Sequence, residues 1–195
     1  MIELRYVRKV YGTLTVLDGL TAAFPEGSVT ALLGANGSGK TTVGRLLLGL
    51  ERPTAGEVSG VDGRPRAAVF QQNRLCEQLS AVDNVRLAAH GSVDRGEVVD
   101  ALRGVGLAGE SLAQPVRQLS GGQRRRVAVV RGLVAPAELV VLDEPFTGLD
   151  TEARRRTMGW VRDRLAGRTA VLITHHDDEV AWFDAGVLRL PGPGA

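Results

Sequence analysis

The stretch SVTALLGANGSGKTTVGRLLLGL, residues 28–50, decides the fold. VTALL is a continuous apolar run that ends at Gly34, the pattern of a strand buried on both faces. A glycine-rich loop follows, and TTVGRLLLGL then carries its apolar residues at helical spacing. Strand, loop and helix in that order are what the pattern G-x-x-x-x-G-K-[ST] requires, and GANGSGKT at 34–41 satisfies it. Gly34, Gly37 and Gly39 let the backbone N–H groups of the loop, Asn36 and Ser38 among them, curl around phosphate oxygens. The helix from Lys40 points its positive end at the same place. Lys40 is placed to neutralise β and γ phosphates, Thr41 to ligate Mg²⁺ and Thr42 to reach an α phosphate. A bare glycine-rich turn between a strand and a helix is the alternative, and the strand context speaks against it.

Outward from this loop, strands and helices alternate. IELRYV and LTVLDGLTAAF near the N-terminus read as antiparallel strands. Gly56, Gly60, Gly63 and Pro65 mark turns around short strands, of which AAVFQ is the clearest. From Ser80 to Leu107 the period becomes helical, as in AVDNVRLAAH and VDRGEVVDALRGVG, so a helical insert is expected, bounded at 72–119. A helix opened by serine and glycines runs from Ser120 to Val134, ELVVLDE is a second buried strand, and TAVLIT a third. TEARRRTMGWVRDRLAG places Ala153, Thr157, Trp160, Val161 and Leu165 on one helical face. The expected fold is α/β: a P-loop NTPase core with a mostly parallel sheet, an N-terminal antiparallel β subdomain and the helical insert, all in one domain over residues 1–195. His90 reads as a helix-end residue, and the PGPGA tail as frayed.

Composition limits the function. With 195 residues, 44% of them hydrophobic, the chain can bury one sizeable core. Its 24 basic and 22 acidic residues are interleaved, so nucleic acid is not an expected partner. The runs Arg124–Arg126 and Arg154–Arg156 fall in helical segments and read as solvated helix faces. One cysteine, Cys76, excludes a disulfide framework, and no apolar stretch is long enough to cross a membrane. The N-terminus lacks the apolar core of a signal peptide. A cytoplasmic protein is expected, unless a partner holds it at the membrane. Lys9 and Lys40 are the chain's lysines, nearly every other positive charge being arginine. A compact ammonium fits a phosphate cradle where a planar guanidinium would not.

Asp143 and Glu144 end the run LVVL, where a parallel sheet presents its ligand edge. Asp143 is placed to hold Mg²⁺ directly or through water, and Glu144 to orient or deprotonate an attacking water. A helix cap with a neighbouring carboxylate is the other reading of this pair. With both halves present the class is a P-loop NTPase, and the absence of N-K-x-D argues against a GTPase.

The order GANGSGKTT, VFQ, LSGGQRRR, LVVLDEP, TGLD and LITHH resembles the nucleotide-binding domain of ATP-binding cassette (ABC) proteins over most of the chain. LSGGQ, at 119–123, carries the resemblance far more specifically than the P-loop does. The resemblance implies that two such domains meet head to tail, each ATP lying between the P-loop of one and the LSGGQ of the other. Ser120, Gly121, Gly122 and Gln123 would then read the partner's ATP, with the helix they open as a second positive dipole end. It implies further that Gln71 links Mg²⁺ and the attacking water to the insert, that Asp150 lies at the dimer seam, that His175 contacts the γ phosphate and that Tyr11 stacks on adenine. Read without the family, Gln71 is a strand-end polar residue, Asp150 a helix cap, His175 and His176 an undivided pair, and Tyr11 a rim or core aromatic.

The same resemblance makes ATP and Mg²⁺ the cofactors and a transmembrane permease subunit the partner, docked on the insert from Gln72 to Leu107. It places the chain at the cytoplasmic face of the cell membrane, with a solute-binding protein possible in the complex. The single domain and SLAQPVRQLSGG before the signature favour an importer subunit; a single-cassette exporter, or an ABC ATPase acting on DNA or ribosomes, is the alternative. The stretch 56–71 is shorter than usual for the family. The chain ends soon after VLRL, so a C-terminal regulatory region is not expected.

Overall fold

The computed structural model describes residues 1–192, and the last residues of the expected frayed tail lie outside them. In chain order the elements are β1 (Ile2–Tyr11), β2 (Leu14–Phe24), β3 (Val29–Leu33), α1 (Lys40–Leu47), β4 (Ala55–Ser59) and β5 (Arg66–Val69). They continue with α2 (Ala81–Ala89), α3 (Arg95–Gly104), α4 (Gly121–Leu133), β6 (Leu139–Asp143), α5 (Thr151–Leu165), β7 (Thr169–Ile173), α6 (Asp177–Trp182) and β8 (Gly186–Arg189).

The chain forms two compact units, the first comprising 1–66, 137–143 and 167 onward. Within it, β1 pairs antiparallel with β2 on one side and β4 on the other. Strict alternation from Ile2 and Leu4 would turn Tyr6 inward. Instead the register slips between Leu4 and Val7, Tyr6 takes φ 48° and stands 78% exposed, and Val7 takes the inward place. The parallel strands of this unit run in the order β6, β7, β3, β8. Their runs LVVLD and TAVLI are buried throughout, as strands covered on both faces must be. Asp143 pairs with Ile173, which pairs with Leu32, so Asp143, Thr174 and Gly34 come out at one carboxyl edge. The unexpected strand β8 pairs with β3, Leu33 opposite Arg189. Phe24, Leu32, Leu46, Leu47 and Leu139 centre the core of this unit.

The second unit comprises 67–136 and 144–166, and the expected helical stretch 72–119 lies inside it. Its core gathers Val82, Val85, Val98, Leu102, Val127 and Val130 from α2, α3 and α4. Each of these helices starts on a side-chain cap. Ser80 accepts from Asp83 N at 3.0 Å, Asp94 from Glu97 N at 3.1 Å and Ser120 from Gln123 N at 3.2 Å. His90 closes α2 in the left-handed region, as a helix-end residue does. On α5 the buried residues are Thr157, Met158, Val161 and Leu165, with Ala153 and Trp160 half-buried. The first arginine run departs from expectation, while in the second Arg155 and Arg156 are exposed. Arg125 is 4% exposed, Arg126 is half-buried, and Arg156 donates to the carbonyls of Arg103 and Gly104 rather than to water alone.

Candidate functional site

In the first unit the loop Gly34–Gly39 leaves the end of β3 and enters α1. Two of its glycines are obligatory. Gly39 has φ 92°, and a Cβ there would stand 2.6 Å from Leu17 Cδ2; a Cβ on Gly34, at φ 154°, would stand 2.6 Å from Ser38 Oγ. The Lys40 ammonium folds onto its own loop and donates to the carbonyls of Gly34 and Ala35, both at 2.8 Å. Ser38 Oγ is buried and has no hydrogen-bond partner among the described residues. A buried hydroxyl normally finds a partner, so this one marks a place for an acceptor from outside the chain. Thr42 is buried behind it, while Asn36 and Gly37 are exposed at the loop tip. A cavity of about 560 Å³ adjoins the loop, walled by Val16, Leu17 and Leu20 of β2, Gly37, Ser38 and Leu190.

Thr41, in the first turn of α1, donates its hydroxyl to Asp143 Oδ2 at 2.9 Å. The chain thus joins two hard oxygen donors at the sheet edge. Among the described residues no group of three or more His, Cys, Asp or Glu could hold a metal alone. Two oxygen donors of this kind are the hard ligands a small divalent cation takes. Beyond β7, the rings of His175 and His176 are tilted on each other at 4.0 Å, both exposed. His176 opens α6, and its N–H donates to Thr174 Oγ1 at 3.1 Å.

Tyr11 closes β1 and is 39% exposed. Its hydroxyl donates to Glu51, which also binds Lys9 and Arg45, each at 3.2 Å, and Lys9 Nζ lies 4.9 Å from the centre of the Tyr11 ring. Partial burial pushes the Glu51 carboxyl up. The hydrogen bonds from Tyr11 and Lys9, the Lys9 charge and the Arg45 hydrogen bond outweigh that and hold it below the usual carboxylate range. Nothing in the sequence around Glu51 pointed to it: the three groups that converge on it come from β1 and α1.

The second unit holds the remaining candidates. Gln71, just past β5, brings its side-chain amide to 3.4 Å from Glu144 Oε2. Glu144 itself has φ 47°, a left-handed backbone that a non-glycine residue adopts at a cost of about 1–3 kcal/mol and keeps only where its surroundings enforce it. Ser120 and Gln123 close a reciprocal capping box, Gln123 Oε1 accepting from Ser120 N at 2.9 Å. The box leaves Gly121 exposed at the helix start. A Cβ on Gly122 would stand 3.3 Å from Gly148 O, so LSGGQ and TGLD abut. Asp150 caps α5, accepting from Ala153 N at 2.9 Å.

Sequence reasoning also passed over Arg125. Its guanidinium donates to the carbonyls of Phe70, Gln71, Glu144 and Pro145 and to Asn73 Oδ1. One signal was available. Arg125 lies three, four and eight residues before Ala128, Val129 and Leu133, the buried face of α4.

A family model described as ABC transporter matches residues 17–147. The chain belongs to the ABC transporter family. Among curated relatives of this cassette, Aliphatic sulfonates import ATP-binding protein SsuB 3 of Paraburkholderia xenovorans is 40% identical over 180 residues, 91% of this chain and 72% of that protein. Fe(3+) ions import ATP-binding protein FbpC of Rhizobium etli is 37% identical over 194 residues, 91% of this chain and 55% of that protein. A dimeric bacterial ABC transporter cassette superposes with a TM-score of 0.88 at 27% identity, covering 100% of this chain and 95% of that one. An ATP-binding cassette dimer in a post-hydrolysis state bound to ADP and Pi gives 0.87 at 25%, covering 100% and 97%. The cassette is an ATP-binding ABC ATPase.

Proposed function

We propose that this cassette binds Mg²⁺ and ATP on the loop 34–42, closes head to tail with a second cassette, and through hydrolysis drives a separate permease that imports a small solute. The observation that carries the reading is the phosphate cradle: the unpartnered Ser38 hydroxyl, the Lys40 ammonium and the Thr41–Asp143 pair beside the N-terminus of α1. The sulfonate and ferric iron import proteins among the relatives support an importer.

In this reading the loop N–H groups of Gly34 to Gly39 and the Ser38 hydroxyl bind phosphate oxygens, and Lys40 swings from its two carbonyls to the β and γ phosphates. Thr42 serves the α phosphate and Tyr11 the adenine face. Thr41, Asp143 and Gln71 would hold Mg²⁺, which when bound would neutralise phosphate charge. Glu144 takes a proton from the attacking water and His175 steadies the γ phosphate. Ser120, Gly121, Gly122 and Gln123 offer the opening of α4 to the partner's γ phosphate, and Asp150 lies at the seam. Loss of that phosphate removes the bridging charge, and the dimer opens.

The test uses Glu144→Gln, in which ATP binds but turns over slowly, so the dimer accumulates in gel filtration. Adding Ser120→Arg abolishes the dimer while the monomer keeps its ATP affinity. If Ser120→Arg weakens monomer affinity as much as Lys40→Ala does, both loops serve one nucleotide in cis and the head-to-tail reading fails. Crosslinks from a cysteine placed near Leu79 report the permease; crosslinks appearing only around Arg154–Arg156 would move the docking face.

A further inference from the structure

We infer that Arg125 is a positioning residue for hydrolysis, a rigid tie that sets Gln71 and Glu144 at their working separation and links both to the helix that begins at Ser120. The inference rests on the role proposed above for Glu144. Its starting point is one buried guanidinium with acceptors on two chain segments. Nη1 donates to Phe70 O at 2.7 Å, to Gln71 O at 3.1 Å and to Asn73 Oδ1 at 3.1 Å. On the other segment, Nη2 donates to Glu144 O at 2.7 Å and Nε to Pro145 O at 2.9 Å.

Apart from Asn73 Oδ1, these acceptors are the main-chain carbonyls of Gln71 and Glu144, whose side chains the reaction uses, and of their neighbours Phe70 and Pro145. A guanidinium is planar and its nitrogens are fixed relative to one another, so the carbonyls it binds are fixed too. The Gln71 amide and the Glu144 carboxylate meet at 3.4 Å on the far ends of the same two residues. The left-handed backbone of Glu144 gives the tie its purpose. Such a conformation persists only where the surroundings hold it, and here its carbonyl and the next one are both bound by Arg125.

Arg125 also sits in α4, four residues into the helix whose N-terminus is the partner-facing Ser120 and Gly121. A shift of that helix against the partner's ATP therefore reaches the chain's own Glu144 through one side chain. Arg131, six residues further along α4, donates to the carbonyls of Asn73 and Arg74, which binds the same loop to the same helix and makes the segment past Gln71 move with it.

The test compares Arg125→Gln and Arg125→Lys, alone and combined with Glu144→Gln, in steady-state ATPase assays with a fluorescent ATP titration to confirm folding. With Glu144 present, Arg125→Gln is expected to lower kcat about 100-fold, the cost of a misplacement near 1 Å, with KM within about twofold. Arg125→Lys, which keeps the charge but not the fork, should fall between. In the Glu144→Gln background neither variant should lower the residual rate further, because the group they position is gone. Should Arg125→Gln fail to bind ATP, Arg125→Lys carries the test alone. Unchanged kcat in a folded variant, a loss confined to KM, or effects that multiply with Glu144→Gln would each overturn the inference. Full activity in Glu144→Gln itself would instead overturn the assignment of the base.

Discussion

Replacing Ser38 with Ala should make the nucleotide-free cassette more stable and its ATP binding weaker, two effects of opposite sign from one oxygen. Ser38 is 4% exposed, and its Oγ has no partner among the described residues. Leaving such a donor unsatisfied costs about 1–3 kcal/mol, and the small void left by the missing oxygen returns part of that. A net gain of about 1 kcal/mol follows for the free protein, or roughly 2–4 °C in a chain of this size. In the proposed ATP complex the same hydroxyl would donate to a phosphate oxygen, a charge-assisted bond worth about 1.5–3 kcal/mol, so ATP affinity should fall about 10- to 100-fold. Thermal unfolding without nucleotide measures the first effect and titration with fluorescent ATP the second. A variant that loses stability without nucleotide, or binds ATP as wild type does, would show that the orphaned hydroxyl is not a phosphate donor.

Lys40→Ala should abolish ATP binding in the same titration while moving the nucleotide-free unfolding temperature by no more than about 4 °C, since the ammonium is tied only to two carbonyls of its own loop. Gly132→Ala should destabilise by about 1–2 kcal/mol in urea unfolding. Its Cβ would meet Ala68 O at 2.5 Å and Val69 Cγ2 at 2.7 Å, and the overpacking exceeds the gain in helix propensity. Gly159→Ala, with nothing within 4 Å, should instead stabilise by about 0.5–1 kcal/mol. Glu51→Gln should lower the unfolding temperature at neutral pH. Because the folded Glu51 carboxyl is depressed, its contribution is present above the ordinary carboxylate pKa of about 4.3 and is lost as pH falls through the lower folded value. The gap between wild type and Glu51→Gln should therefore close only in acid, and a gap constant across that range would contradict the assignment.

The motif-bearing parts of this cassette were legible because their chemistry is local. GANGSGKT needs glycines, a lysine and a hydroxyl within eight residues, the distance one strand-to-helix turn spans. LVVLD and TAVLI read as buried strands because parallel strands covered on both faces are apolar throughout. LSGGQ announced a helix opened by Ser120, and the capping box with Gln123 is that same local signal realised. The bulge at Tyr6 was not legible in the same way, since a one-residue slip against β2 and β4 is set by the neighbouring strands and not by alternation within β1.

What the sequence determined by itself, then, is the strand, glycine loop and helix at 29–47 and the buried strands beside them. It could not say which arginine of RRR would be buried. A solvated face and a buried clamp have the same composition, and what separates them is whether carbonyls from Phe70, Gln71, Glu144 and Pro145 converge on one point. Nor could it find Glu51, which lies between α1 and β4 while its partners Lys9 and Tyr11 lie some forty residues away in β1. The left-handed backbone of Glu144 belongs to the same class. A residue's own type favours the common backbone regions, and only tertiary hydrogen bonds to its carbonyls can hold it elsewhere.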